Sequence, residues 1–503
     1  MATPLAYVSV KAPGFMGLNL ESSAVDLQPG WSLLATNCVI DQYGRIGSRK
    51  GWVPVNTPTL GAYDVTTIHE YVNSAGATEI ISAANNNLYK GTTTLTSIYS
   101  AAVTDNHWKI VNFNNKCYMF QDGQVPLTYD GTTCQTIATV AGFLDANAVM
   151  AKKPNECIAA YGRLWVADTS TDKTTVWYSD NLLGHAWSGG ASGSIDMRTV
   201  WTDGMDSITA LATFNGFLVV FGKKSIVVYS GAKDPTTMAL SDVIKGVGCI
   251  ARDSVKDIGT DILFLSDSGV RSFQRTIQEK SMPMRDISKN VRSDLISYSS
   301  TETSKLIKSI YHEKDGFYLV SFPSYSRTYC FDMRSKLEDD SARTTVWDSI
   351  KINAFCSRRD RSLYIGRSGY IGLYSSGNDN GTNFRVTYYT TWMDFGDSSR
   401  EKFLKDSIVT VIGGSGASLI CKWVYDYKTV FSSVSKTISA GSVAEYGIAE
   451  YGIAEYGSGL VIDTIHADGS ESGKVLQFGV ESEGSASISI QKIDLYCKVG
   501  RSD

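Results

Sequence analysis

The stretch LATFNGFLVVFGKKSIVVYSG, residues 211–231, decides the fold class. An apolar run ends at Asn215 and Gly216, and a second run of Leu, Val and Phe follows at once. Short apolar runs split by an Asn or Gly turn read as antiparallel strands joined by a tight hairpin. Working outward, the same unit recurs. It appears as EIISAANNNLYKG (79–91), IVNFNNKCYMFQDG (110–123) and CIAAYGRLWVAD (157–168). It returns as DILFLSDSGVRSF (261–273), IYHEKDGFYLVSFP (310–323) and FCSRRDRSLYIGRSGYIGLYS (355–375). The spacing of roughly 40–50 residues is that of a propeller blade. A blade buries each face only against a neighbour, so a closed ring is the stable arrangement. The sequence therefore predicts an all-β protein: an irregular β-propeller of six or seven blades over residues 61–377. A pair of β-sandwiches would give similar strand statistics.

Beyond residue 378 the pattern changes to longer alternating strands, FRVTYYTTWMDFG, DSIVTVIGGSGASLICKWVYDY and GKVLQFGVESEGSASISIQKIDLYCKVG. These predict a C-terminal antiparallel β-sandwich over 378–503. Residues 1–60 read as an extended arm and a hairpin: 37–41 forms one strand, 42–44 turns, and 45–52 forms the other. Helical periodicity is confined to DISKNVRSDLI (286–296), with Ser288 as the cap and Val291, Leu295 and Ile296 as the apolar face.

Composition agrees with many tight turns in a folded β protein. The 503 residues include 45 glycines and 27 tyrosines, with 43% apolar and only 19% charged residues. A formal charge of −4 with scattered Lys and Arg argues against tight sequence-independent nucleic-acid binding. No run reaches eighteen apolar residues, which predicts no membrane-spanning helix. MATPLAYVSVKAPGF does not look like a secretory signal. The nine cysteines stand singly, with no C-x-x-C, and are expected to be buried free thiols of a reducing compartment.

No phosphate loop, nucleophile elbow, dinucleotide fingerprint or zinc motif is present. His69, His107, His185, His312 and His466 have no ligand spacing. A carbohydrate-binding or carbohydrate-cleaving propeller is the alternative function. It would need two carboxylates flanking one bond, such as Asp130 with Asp332. The sialidase-like turn is matched in LSDSGVRSF only at Asp267 and Gly269. KLEDD (336–340) reads as a solvated acidic loop, with a cation site as the sharper possibility.

The block GFMGLNLESSAVDLQPGWSLLATNCVIDQYGRIGSRKGW, residues 14–52, carries a resemblance. It resembles the start of the tail nozzle proteins of short-tailed bacteriophages, also called tail tubular protein B or tail accessory or stabilisation proteins. The matching positions are Gly17, Leu18, Asn19, Leu27, Gly30, Asn37, Asp41, Gly44, Ile46, Arg49 and Gly51. Residues 159–180 and 203–273 look like the propeller strands of that family, so the likeness covers about the first 380 residues. It implies a structural virion protein without catalytic activity or cofactor. It implies a homohexameric ring below the tail adaptor protein, at the lower end of the tail tube, with tail fibre or spike proteins on its flank. Double-stranded DNA would pass through that ring, and the protein would be assembled in the host cytoplasm into the virion tail. Weak, scattered charge would let phosphates pass, and abundant aromatics suit permanent interfaces. Head-to-tail contacts close into a ring when the rotation permits.

VAEYGIAEYGIAEYG, residues 443–457, repeats five residues three times. A step of five gives no stripe on an α-helix and alternates faces on a strand. Gly447, Gly452 and Gly457 favour a protruding bent loop. One reading is a tolerated expansion, since lengthening a loop costs little. The other places Tyr446, Tyr451 and Tyr456 against the lumen or an adjacent subunit, with Glu445, Glu450 and Glu455 facing solvent or DNA.

Overall fold

The fold is taken from a computed structural model, which describes residues 5–101, 103, 105–201, 206–279, 286–439, 462–484 and 486–500. The pentapeptide repeat, with Glu445, Tyr446, Glu450, Tyr451, Glu455 and Tyr456, lies outside the described residues.

Seven sheets among the described residues form a propeller. Blades one to four are four-stranded meanders over 67–99, 109–136, 156–196 and 208–245. Blade five has three strands over 256–272, followed by helix α1 (Phe273–Glu279). Blade six runs from Lys308–His312 to Ala342–Trp347. Blade seven takes three strands from 354–376, and its outermost strand is Gly51–Pro54 from the N-terminal segment. The turns that make these meanders need left-handed backbone, which Asn85, Asn86, Asn114, Asn115 and Asn215 supply. Apolar side chains pack between each pair of neighbouring blades around the ring. Trp165 and Val220 meet between blades three and four, and Ile68 and Tyr364 between blades one and seven. The count settles at seven.

The N-terminal strands are β1 (Leu5–Lys11), β2 (Gly17–Leu18), β3 (Trp31–Thr36), β4 (Cys38–Ile40), β5 (Ile46–Ser48) and β6 (Gly51–Pro54). The hairpin of β4 and β5 pairs Cys38 with Ser48 and Ile40 with Ile46. Its second arm does not continue to Trp52. The chain breaks at Arg49 and Lys50, and β6 enters blade seven instead.

The C-terminal strands form an antiparallel sandwich that shares its sheets with the N-terminal segment. In one sheet, Lys402–Gly413 and Ile488–Val499 are joined by β1, β5 and β4. In the other, the strands Arg385–Thr390, Leu476–Glu483, Ser418–Tyr425 and Ser432–Thr437 continue from β3. Through β2 and β3, paired in parallel with Ala342–Trp347, this second sheet runs on into blade six as ten continuous strands. The sequence reading drew boundaries at 60/61 and 377/378, and sheets cross both. Backbone pairing between distant segments, which local pattern does not record, is the reason. One apolar core correspondingly joins Leu263 and Tyr318 of blades five and six to Trp423, Val480 and Leu495 of the sandwich.

The helix expected at 286–296 lies later, as a 3-10 turn (Lys289–Val291) leading into α2 (Arg292–Thr301). Ser288 does not cap it: its hydroxyl accepts the backbone N–H of Val270, 2.9 Å away. Val291 and Leu295 are buried as expected, and Ile296 is only partly covered.

Closure of the ring at β6 makes a specific prediction. A Cβ on Gly51 would stand 2.0 Å from the carbonyl oxygen of Asn378. Gly51→Ala must therefore displace backbone at the seam, and it is expected to cost about 1–3 kcal/mol. Urea unfolding followed by tryptophan fluorescence measures this directly.

Candidate functional site

Two places concentrate polar chemistry: the junction between propeller and sandwich, and the propeller axis. The junction is built by the N-terminal residues that carry the family resemblance. Asn37 takes a left-handed backbone (φ 54°) between β3 and β4. Its side-chain amide donates to Asp348 at 2.5 Å and to the Arg385 carbonyl at 3.0 Å. Its side-chain oxygen accepts from Arg49 Nε at 2.9 Å. Arg49 is 1% exposed and forks onto Asp379, with Nη1–Oδ1 at 2.9 Å and Nη2–Oδ2 at 2.6 Å. Its guanidinium also lies 3.8 Å from the Phe384 ring centroid. A buried arginine needs this degree of satisfaction, because an unpaired guanidinium in the interior is strongly unfavourable.

The other resemblance residues shape the approach to that hub. Gly17 (φ 84°) passes so close to blade six that a Cβ would meet the Thr344 carbonyl oxygen at 2.6 Å. Asn19 accepts the backbone N–H groups of Glu21 and Ser22, and Asp41 accepts those of Tyr43 and Arg45. Gly44 (φ 74°) completes the hairpin turn against Pro13. These residues act on backbone conformation and interdomain contact.

The axis was not singled out from the sequence. Its walls are the innermost strands, which open with Thr67, Lys109, Glu156, Ile208, Lys256, Lys308 and Ala354 in blades one to seven. Four of these seven residues are charged, and Lys109, Glu156 and Lys308 stand at the start of largely apolar strands. A charged residue opening such a strand is the signal a sequence reading has available. Glu156 is fully buried. Its Oε1 lies 3.3 Å from Lys109 Nζ and accepts the Leu211 N–H, and its Oε2 stands 4.0 Å from Arg252 Nε. Burial raises the Glu156 pKa, against the pull of Lys109 and Arg252.

Arg252 also pairs with Asp253 at 3.1 Å and donates to the carbonyl and side-chain oxygens of Asn155. Asp253 pairs further with Lys308. Burial works against its ionisation, but Arg252 and Lys308 together hold its carboxyl well below the usual range. Lys256 lies among these groups, and burial, reinforced by Lys109, pushes it down to about 8. The arrangement leaves two cavities along the axis. One of about 330 Å³ is lined by Asp105, His107, Asp168, Arg252 and Lys305 among others. The other, of about 250 Å³, is lined by His69, Lys109, Asp253, Lys256 and Lys308.

The remaining candidates are structural. Asp130 accepts the N–H groups of Thr132 and Thr133 in its own turn on blade two. Asp332 is buried on blade six against Arg334. The two lie three blades apart around the ring and do not flank a common cleft. In the 336–340 loop, Asp339 pairs with Lys289 and Asp340 with Arg275. No cluster of metal-ligating side chains occurs among the described residues. All nine cysteines are free thiols, eight of them buried. No helix among the described residues is long and apolar enough to cross a membrane.

No protein-family model matches the chain, and no curated protein is detectably similar to it in sequence. Solved structures with a partly similar arrangement come from varied sources. YCF48 from Cyanidioschyzon merolae is 11% identical, with a TM-score of 0.37 over 64% of this chain and 98% of its own. The WD40 domain of Neurospora crassa Pan2 is 8% identical, with a TM-score of 0.36 over 65% and 96%. PorZ, a surface component of the type-IX secretion system of Porphyromonas gingivalis, is 10% identical, with a TM-score of 0.36. The match spans 66% of this chain and 38% of PorZ. The assignment of the fold rests on the sheet order itself.

The axial histidines give a pH prediction. Burial pushes His69 to about 4, and burial together with Lys308 does the same for His107. Both are therefore neutral in the folded state, while the unfolded chain protonates them near 6.5. Between those values the unfolded state binds the extra protons, so stability is fully present above about pH 6.5 and falls as pH drops toward 4. Glu156, with its raised pKa, acts in the opposite sense. Urea midpoints measured from pH 7.5 to 4.5 are expected to decline, and the double variant His69→Gln, His107→Gln to flatten that decline.

Proposed function

We propose that this chain is the ring-forming tail nozzle subunit of a short-tailed bacteriophage, a structural protein with no catalytic role. In this reading copies stand side by side below the tail adaptor, and double-stranded DNA leaves between them. Tail fibres or spikes dock on the outer flank.

The observation that carries the reading is an exposed aromatic patch on the outer face of the sandwich. Strand register places Lys498 between Leu5 and Phe403, and Tyr7 beside Tyr496. Leu5, Tyr7 and Phe403 are 41%, 49% and 39% exposed. The Tyr7 and Tyr496 rings pack at a tilt of 31° with centroids 4.9 Å apart. Large apolar and aromatic residues gathered on an outward sheet face favour a lasting protein contact over solvent. Lys492 and Asp494 border the patch along the same strand and supply a polar rim.

The resemblance supports the same reading in a second way. Its N-terminal residues hold propeller and sandwich in one fixed relation through Arg49 and Asp379. A subunit that must tile a ring benefits from such stiffness, because closure depends on a constant angle between neighbours.

Negative-stain images and light scattering of the full chain at rising concentration test the proposal. Six-membered rings are expected, and Tyr7→Glu with Phe403→Glu should yield folded monomers. An antibody against the chain should label the tail tips of short-tailed virions. A chain that stays monomeric, labels no virion tail and releases sugar from a glycan panel would overturn it.

A further inference from the structure

We infer that the 250 Å³ axial cavity is a binding site for a small tetrahedral oxyanion, phosphate-sized, held by Lys256 together with Lys109 and Lys308. The inference stands apart from the nozzle reading and rests on charge placed inside the propeller. Lys109, Arg252, Lys256 and Lys308 gather about two carboxylates, Glu156 and Asp253, while Asp168, which also acts on Arg252, is itself paired with Lys173.

The two carboxylates are already engaged. Glu156 serves Lys109, and Asp253 serves Arg252 and Lys308. Lys256 sits within electrostatic reach of all of them yet has no ion-pair partner among the described residues. An ammonium group away from bulk water without a counter-charge is unfavourable, and the site answers either by losing a proton or by taking up an anion. A second observation points the same way. His69 Nε2 lies in the wall of the same cavity, buried and without a hydrogen-bond partner.

The chemistry of the wall selects the ligand. Each lysine offers three N–H donors and no acceptor, which suits an ion with several acceptor oxygens. A water occupies about 30 Å³ of liquid volume, so the cavity holds such an ion with a few waters. A free inorganic ion and the phosphoryl end of a small molecule present the same oxygens.

The test uses the full chain. Thermal unfolding is followed in sodium phosphate, sodium sulfate, glycerol 3-phosphate and sodium chloride at equal ionic strength. Phosphate and sulfate are expected to raise the midpoint by about 2–4 °C over chloride. An equal rise in glycerol 3-phosphate assigns the site to a phosphoryl terminus, and no rise there assigns it to the free ion. Lys256→Met is expected to unfold higher than the wild type in chloride and to lose the oxyanion response. Lys223→Met, in the wall of the other axial cavity, should keep it. Phosphorus NMR of phosphate with wild-type chain, with line broadening reversed by sulfate, reports binding even if Lys256→Met does not fold. Equal midpoints in phosphate and chloride, no broadening, or a full response in folded Lys256→Met would overturn the inference.

Discussion

A ring of sheets has one seam, and the whole molecule depends on how that seam is closed. Here the last blade lacks its outer strand until β6 arrives from more than three hundred residues earlier, pairing Leu373 with Val53 and Tyr374 with Trp52. An unsealed blade would expose a sheet edge and one face of its apolar layer. With β6 in place, Trp52 joins Leu319, Trp347 and Ile365 in the layer between blades six and seven. The segment that seals the propeller is also the segment that builds the sandwich, because β1, β4 and β5 belong to its first sheet and β3 to its second. Closure and interdomain attachment are one event. Arg49, placed between β5 and β6, locks the two together through Asn37 and Asp379.

The axis shows a different balance. In the interior a charge is tolerated only when paired, and pairing in the low-dielectric interior is strong but demanding. Glu156, Arg252 and Asp253 meet that demand with each other and with lysines from neighbouring blades. Salt bridges tie the innermost strands of blades two, three and six to one another and to the Arg252–Ser254 turn ahead of blade five. Lys256 is the group this network leaves over.

Much of the fold was legible, for a physical reason. Blade meanders depend on local turns, and Asn114–Asn115 or Asn215–Gly216 between apolar runs announces left-handed turn backbone in the sequence itself. Long alternating strands after residue 378 likewise carry their own signature of one buried face. Long-range pairing was not legible. Nothing local says that Gly51–Pro54 belongs with Ile371–Ser376, or that β3 lies beside Arg385–Thr390. The helix start was misplaced because Ser288 spends its hydroxyl on Val270 of another strand, a tertiary use that overrides capping. At the candidate site, the N-terminal motif was visible from its glycines and Asn37, while the axial charges went unnoticed. Lys109, Glu156 and Lys308 sit just ahead of the apolar runs that drew the eye, and only closure of the ring brings them together.

The central claim is that the N-terminal strands, the seventh blade and the sandwich form one cooperative structure. Hydrogen exchange of the full chain, read by mass spectrometry, tests it most directly. The account predicts that amides of β3, of β6 and of Ile371–Ser376 and Leu476–Glu483 open with the same free energy, near that of global unfolding. Rapid exchange across residues 31–54, with the blades and the sandwich still protected, would contradict it.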